Sequence, residues 1–287
     1  MMRDARRWQQ VWHSLEHHLD QKQGREDLSQ LAACSPWHFH RLFTARFGLS
    51  VLAFRQGARL QRAAALLAWR PRHSITRIAL DLGYDSSASL SRAFRQGFGI
   101  SPSQFRRQPQ WQRWQGVFQP LHTARSAIMF EPDADILIRD FPLTRVAMLP
   151  HRGPSALLGE SLQRFIAWRK AHHLPPSRYA TYNVCYHHPD DVAPADFCFD
   201  LCVAWEGEVA ANPQGVVAGT LPGGRCAVLR HIGPDEQLEG AILHLYRHWL
   251  PGSGAQLRDA PLFLQRVRLF PDVPAHEAVT DIFLPIQ

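Results

Sequence analysis

Residues 75–107 read ITRIALDLGYDSSASLSRAFRQGFGISPSQFRR. The run from Ile75 predicts a short helix, Gly83 a turn, and Ser86 the cap of a second helix rich in serine and arginine. Leu90, Phe94 and Phe98 recur at helical spacing, and Ser101-Pro102 opens a third helix. Helix, glycine turn, capped helix is the pattern of a helix-turn-helix. The segment 28–50 repeats it: Arg41, Phe43, Phe47, Gly48 and Ser50 return 51 positions later as Arg92, Phe94, Phe98, Gly99 and Ser101. A single such pattern is matched by many helical hairpins. Two in register, each with arginine on its second helix, point to a doubled DNA reader.

The charge distribution agrees. Of the 287 residues, the first 107 carry 17 Lys+Arg against 7 Asp+Glu, and the rest carry 15 against 18. A basic block followed by a slightly acidic one suggests a polyanion-binding module joined to a second domain. The five cysteines (Cys34, Cys185, Cys198, Cys202, Cys226) form no CxxC and are odd in number, which suits a reduced, cytoplasmic compartment. The opening MMRDARRWQQVWHSLEHHLD has no apolar core for a signal peptide, and no apolar run reaches membrane-spanning length. A soluble protein without membrane contact is expected.

A first helix over about Ala5 to Gln21 would bury Trp8, Val11, Trp12, Leu15 and Leu19. His13 and His17 lie four apart on its other face, where a solvated surface explains them better than a metal. In the first motif Ser35 caps a helix from Pro36 to about Arg46, with Phe39, Leu42 and Phe43 inward and Trp37, His38, His40, Arg41 and Arg46 outward. In the second, Ser87, Ser89, Ser91, Arg92 and Arg95 are left for the outer face. A major groove admits one helix, and arginine bonds both acceptors of guanine, so Arg41 and Arg92 are the base-reading candidates. Trp37 can lie against a thymine methyl or a sugar, and the serines suit phosphates. Each arginine has a plain alternative as a surface ion-pair partner. A helix over Val51–Trp69, striped by Arg55, Arg59 and Arg62, would hold the two readers apart.

Residues 5–107 resemble the DNA-binding domain of the AraC/XylS family of transcription regulators. The match rests on Ser35-Pro36-Trp37-His38-Phe39-His40-Arg41-Leu42-Phe43 and on the run from Ile78-Ala79 through Ser101-Pro102 to Arg106-Arg107. The resemblance implies seven helices, monomeric occupation of adjacent grooves, activation of transcription and contact with RNA polymerase. Where some relatives place two amides that read adenine, this chain has Ser87 and Ala88, so the second half is expected to read fewer bases.

Residues 108–133 break the periodicity and are expected to form a linker, with Trp111, Trp114 and Phe118 able to dock it. A second repeat follows. Arg145-Val-Ala-Met-Leu-Pro-His151-Arg-Gly153-Pro154 returns 80 residues later as Arg225-Cys-Ala-Val-Leu-Arg-His231-Ile-Gly233-Pro234. Each copy reads as a strand, a turn and an amphipathic helix, followed by strands at 179–186 and 197–205, then at 263–270 and 279–285. Two duplicated α+β units over 134–287 should pair around a cleft.

This half resembles the GyrI-like effector-binding domain through its two His-x-Gly-Pro turns, His188-Pro189-Asp190-Asp191, Asp200, Leu221-Pro222-Gly223-Gly224 and Thr280 to Pro285. Tyr182, Tyr186, Trp205, Phe263 and Leu264 are the candidate cleft residues. Core packing is the plain alternative for the aromatic ones. Many relatives carry Glu where Leu264 stands, so a neutral or hydrophobic ligand is expected here rather than a cation. Cys198, Asp200 and Cys202 alternate on one strand, but buried apolar cysteines account for them without a metal. No GxSxG, HExxH or P-loop occurs, and no catalytic residue, cofactor or metal is expected. The leading expectation is a DNA-binding regulator modulated by a small effector. The alternatives are a hydrolase of small electrophilic compounds and a protein-interaction module that needs no ligand.

Overall fold

The computed structural model describes residues 2–19, 25–127 and 135–287. They fall into two compact units, Met1–Met129 with Gly233–Gln237 and Phe270–Ala278, and Phe130–Ile232 with Leu238–Leu269 and Val279–Gln287.

The first unit is helical: α1 Met2–His17, α2 Arg25–Leu31, α3 Pro36–Phe47, α4 Val51–Trp69, α5 Ile75–Asp81, α6 Ser87–Phe98, α7 Pro102–Arg107 and α8 Trp111–Ser126. α1 ends four residues before the expected Gln21. The motif helices α3 and α6 both stop at a glycine, Gly48 and Gly99, with φ 73° and ψ 0° at each. That left-handed turn strains any residue with a Cβ, so both copies need glycine there. Phe39, Phe43 and Phe47 of α3 pack with Trp8, Val11, Trp12 and Leu15 of α1. Leu42 is exposed, contrary to expectation. It lies about 100° around the helix from the centre of the phenylalanine stripe. Leu90, Phe94 and Phe98 of α6 pack with Phe105 and the C-terminal half of α4. Each such ring contributes on the order of 2–3 kcal/mol by leaving water.

α4 spans both cores, with Phe54 and Ala58 in the first and Ala63 to Ala68 in the second. So does α8, in the stretch expected to be a linker. Its Trp111 and Phe118 belong to the second core, and its Leu121 and Ala124 to the first. The helix therefore carries more core than connection.

The second unit is one eight-stranded antiparallel sheet in the order β1-β6-β8-β7-β3-β4-β2-β5. The strands are β1 Leu137–Phe141, β2 Thr144–Arg152, β3 Thr181–Cys185, β4 Cys198–Ala204, β5 Val217–Leu221, β6 Gly224–Ile232, β7 Leu262–Arg268 and β8 Val279–Pro285. α9, Leu158–Ala171, follows β2. α10, Leu238–His244, follows β6 and continues through a π turn into α11, Leu250–Ser253. Exchanging β1 with β5, β2 with β6, β3 with β7 and β4 with β8 reverses the strand order onto itself. The sheet thus has an internal twofold, and each repeat lends its first strand to the other: β1 pairs β6 and β5 pairs β2.

The helices cover one face. α9 lies over Ala147, Leu149, Leu201 and Val203, and α10 over Ala227, Leu229, Leu262, Leu264, Ile282 and Leu284. The opposite face gathers Phe141, Val146, Tyr182, Val184, Cys202, Cys226, Val228, Phe263 and Phe283 from both repeats. Among the described residues no helix is long and apolar enough to cross a membrane.

Candidate functional site

The two motif helices start differently. Ser35 precedes α3 in an extended conformation, but its side chain makes no capping hydrogen bond, and Pro36 fills the first turn. Ser86 caps α6 with a reciprocal box: its side chain accepts from Ser89 N at 3.2 Å, and Ser89 Oγ accepts from Ser86 N at 3.1 Å. The Ser89 hydroxyl also donates to Ser86 O at 2.7 Å, so this expected phosphate donor is committed to the cap. Ser87 and Ser91 are half-buried at the edge of the helix.

Trp37 is 83% exposed, an unusual state for a tryptophan on a structured helix. His38, His40, Arg41, Arg46, Arg92 and Arg95 are exposed as well. Arg46 lies over the Trp8 ring at 5.9 Å, which gives it a structural tie to α1. Arg41 and Arg92 make no hydrogen bond or ion pair among the described residues. The sequence reading did not anticipate the role of Arg59, whose Nη1 donates to the Gly83 carbonyl at 3.1 Å in the turn of the second motif.

Both cores are locked by one buried ion pair. Arg125 of α8 and Glu16 of α1, each almost wholly buried, meet at 2.9 Å, and Arg125 Nη1 donates to Gln61 Oε1 of α4 at 2.7 Å. Burial pushes the Glu16 carboxyl upward, and Arg125 only partly opposes it. At the other end Arg113 Nη1 donates to the Phe98 carbonyl of α6 at 2.6 Å.

In the sheet unit, three of the five expected cleft residues share the face away from the helices. Phe263 and Phe283 stack at 4.8 Å, and Phe141 meets Phe263, Phe283 and Tyr182 at 4.8, 5.3 and 5.8 Å between centroids. Tyr186 lies beyond the end of β3, partly exposed. The other two are corrected. Leu264, 3% exposed, points under α10, because consecutive strand residues face opposite sides and Phe263 faces the aromatic side. Trp205 is on the α9 side, against Tyr179 at 5.9 Å. Leu264 therefore does not carry the ligand preference expected of it.

Two buried carboxylates lie on the sheet. Asp200 is almost wholly buried and accepts from Tyr186 Oη at 2.7 Å and from Arg152 Nη1 at 2.6 Å. Burial and this hydrogen bond push the Tyr186 hydroxyl up to about 12, so it remains a proton donor. Burial alone would lower the Arg152 pKa, but the Asp200 hydrogen bond and charge outweigh it and raise it. In the second repeat Asp281 is bound at both oxygens by Arg230, at 2.7 and 2.8 Å. Strand register could have located these pairs, but composition could not. Among the described residues no three His, Cys, Asp or Glu side chains gather in metal-binding geometry. Cys202 and Cys226 are buried in the aromatic face, and burial raises both thiols.

Comparison with known proteins follows this division. The model of the GyrI-like small molecule binding domain matches residues 134–287, and that of a helix-turn-helix domain matches residues 28–108. The chain belongs to the GyrI-like family. The chain is 39% identical over 153 residues to the probable transcriptional regulator YgiV of Escherichia coli K12, covering 53% of this chain and 96% of YgiV. It is also 34% identical over 111 residues to the right origin-binding protein of the same organism, covering 39% of this chain and 37% of that protein. Among solved structures, the EcmrR C-terminal domain aligns with TM-score 0.44 at 15% identity, over 53% of this chain and 97% of that one. At that distance the likeness carries no argument. An AraC-type helix-turn-helix domain followed by a GyrI-like domain is the architecture of a DNA-binding transcription regulator.

Proposed function

We propose that this regulator reads two adjacent major-groove faces with α3 and α6, and that a small molecule with an apolar body, bound on the aromatic face of the sheet, modulates transcription. The observation that carries the reading is the pair of equivalent, exposed arginines, Arg41 and Arg92, neither of which has a partner among the described residues. Each lies on a helix that ends at a left-handed glycine, and the two helices are tied through α4 and α8. Trp37, His38, His40, Arg46, Ser87, Ser91 and Arg95 supply flanking contacts. RNA polymerase as second partner, activation as the direction, and a cytoplasmic location follow from the AraC/XylS resemblance. The GyrI-like half is read as a sensor rather than an enzyme. Tyr186 on the aromatic face is bound to Asp200, which is itself paired with Arg152, so this tyrosine and carboxylate are not free to act as an acid–base pair.

Selection of duplexes from a randomised pool by the full chain tests the DNA reading. A two-part consensus with half-sites about one helical turn apart is expected, with affinity falling steeply as salt rises. Equal binding of all duplexes at moderate salt would overturn it.

A further inference from the structure

The internal twofold of the sheet shows where the two repeats have diverged. It carries Pro150 onto Arg230, Arg152 onto Ile232, Asp200 onto Asp281 and Tyr186 onto Val267. The strand registers agree: Asp200 pairs with Pro150, and Asp281 with Arg230. In the second repeat the arginine is directly opposite its aspartate and closes on it with two parallel hydrogen bonds, Nε to Oδ1 and Nη2 to Oδ2. That guanidinium is saturated on its reactive edge.

In the first repeat the arginine stands two residues further along the same face and reaches its aspartate diagonally. Only Nη1 is used, donating to Asp200 Oδ1 and to the His151 carbonyl at 2.8 Å. The second carboxylate oxygen is taken by Tyr186. The Arg152 side chain is 49% exposed, and its Nε and Nη2 have no partner among the described residues. Its guanidinium lies over the Tyr186 ring at 5.5 Å. The result is an accessible cation with a free donor edge on an aromatic ring, anchored by a buried carboxylate.

We propose that Arg152 and Tyr186 form the recognition end of the ligand cleft, and that the ligand is a planar organic anion, an aryl carboxylate. The free guanidinium edge matches a carboxylate in geometry and charge. The Tyr186 ring, partly exposed, accepts the aromatic body at the edge of the registered row Val184, Phe263, Phe283, which runs across the sheet from Asp200 and is itself buried. Neither buried aspartate of this face is free to attract a cation, since Asp200 is paired with Arg152 and Asp281 with Arg230. The two aspartates are separated by β7 and β3, about 14 Å at ordinary strand spacing, so the closed pair of the second repeat does not compete for the same head group. This assignment rests on the reading of the aromatic face as a ligand site.

The test is calorimetric titration of the full chain with three compounds of one shape: naphthalene-2-carboxylate, its neutral carboxamide and naphthalen-2-ylmethylammonium. The carboxylate is expected to bind at least tenfold more tightly than the carboxamide, and the ammonium most weakly. Arg152→Lys keeps a cation for Asp200 but loses the planar free edge, so it should weaken the carboxylate at least fivefold and leave the carboxamide unchanged. Arg230→Lys should alter none of the three, and thermal melts of both variants establish that they fold. Equal binding of all three compounds would leave the cleft standing and overturn the anion assignment, as would an unchanged carboxylate affinity in the Arg152 variant. Tightest binding of the ammonium would overturn it too. Failure of all three to bind would overturn both the assignment and the ligand-site reading for aryl compounds.

Discussion

At the scale of single residues, the outward arginines carry the sharpest expectation. Arg41→Ala should cost about 1–3 kcal/mol on a specific duplex and relax base preference in one half-site, and Arg92→Ala should do the same in the other. Site selection with each variant reads this directly, and an unchanged consensus in both would show that the contacts specifying sequence lie elsewhere. Ser89 illustrates what a sequence pattern leaves open. Its position on the outer turn was legible, but whether its hydroxyl faces a phosphate or closes a capping box depends on geometry three residues away. Leu264 is a different case, because parity alone separates it from Phe263. Adjacent strand residues cannot line one cleft, so a Glu at 264 would enter the helix-covered core rather than a binding site. Leu264→Glu is therefore expected to destabilise the sheet unit by more than about 3 kcal/mol through burial of an unpaired carboxylate. A thermal melt at neutral pH measures it. A folded variant with normal stability and a new preference for cations would show the opposite side-chain direction.

At the scale of elements, the strongly periodic segments were legible and the weakly patterned ones were not. α4 matches its expected bounds, and α3 and α6 are marked by a serine cap at one end and a glycine at the other. The edge strands β1 and β5 escaped, because β1 buries only Phe141 and β5 only Leu221, which leaves no alternation to read. α8 escaped for another reason. Pro120 and a run of glutamines look like a linker, yet the proline sits on the solvent side, and the buried positions Trp111, Phe118, Leu121 and Ala124 keep helical spacing around it. The consequence is measurable. A fragment ending at 107 loses those four side chains from both cores and the arginine that neutralises Glu16, so it should melt well below a fragment ending at 127. The single substitution Arg125→Ala should cost about 3–5 kcal/mol, because Glu16 is left buried without its partner. If instead the two fragments melt alike and Arg125→Ala is neutral, α8 is a passenger on the motif helices rather than their brace.

At the scale of the whole molecule, two internal repeats of different kinds occupy one chain, and each uses its symmetry differently. The helical repeat keeps its equivalent arginines exposed in both copies, as suits two halves of one DNA site. The sheet repeat has kept its buried aspartates but closed one arginine and opened the other, as suits a single ligand on a twofold scaffold. Modulation then requires that DNA and ligand be coupled through the chain, and coupling is reciprocal. If the ligand changes DNA affinity by some factor, DNA must change ligand affinity by the same factor, with about 1–3 kcal/mol a usual size. Titrating an arylcarboxylate into the full chain with and without saturating specific duplex, and duplex with and without saturating arylcarboxylate, gives the two factors independently. They should agree and differ from one. Two factors of one would mean that the ligand occupies the cleft without biasing the DNA-binding state, because a ligand with equal affinity for both states shifts neither, however tightly it binds.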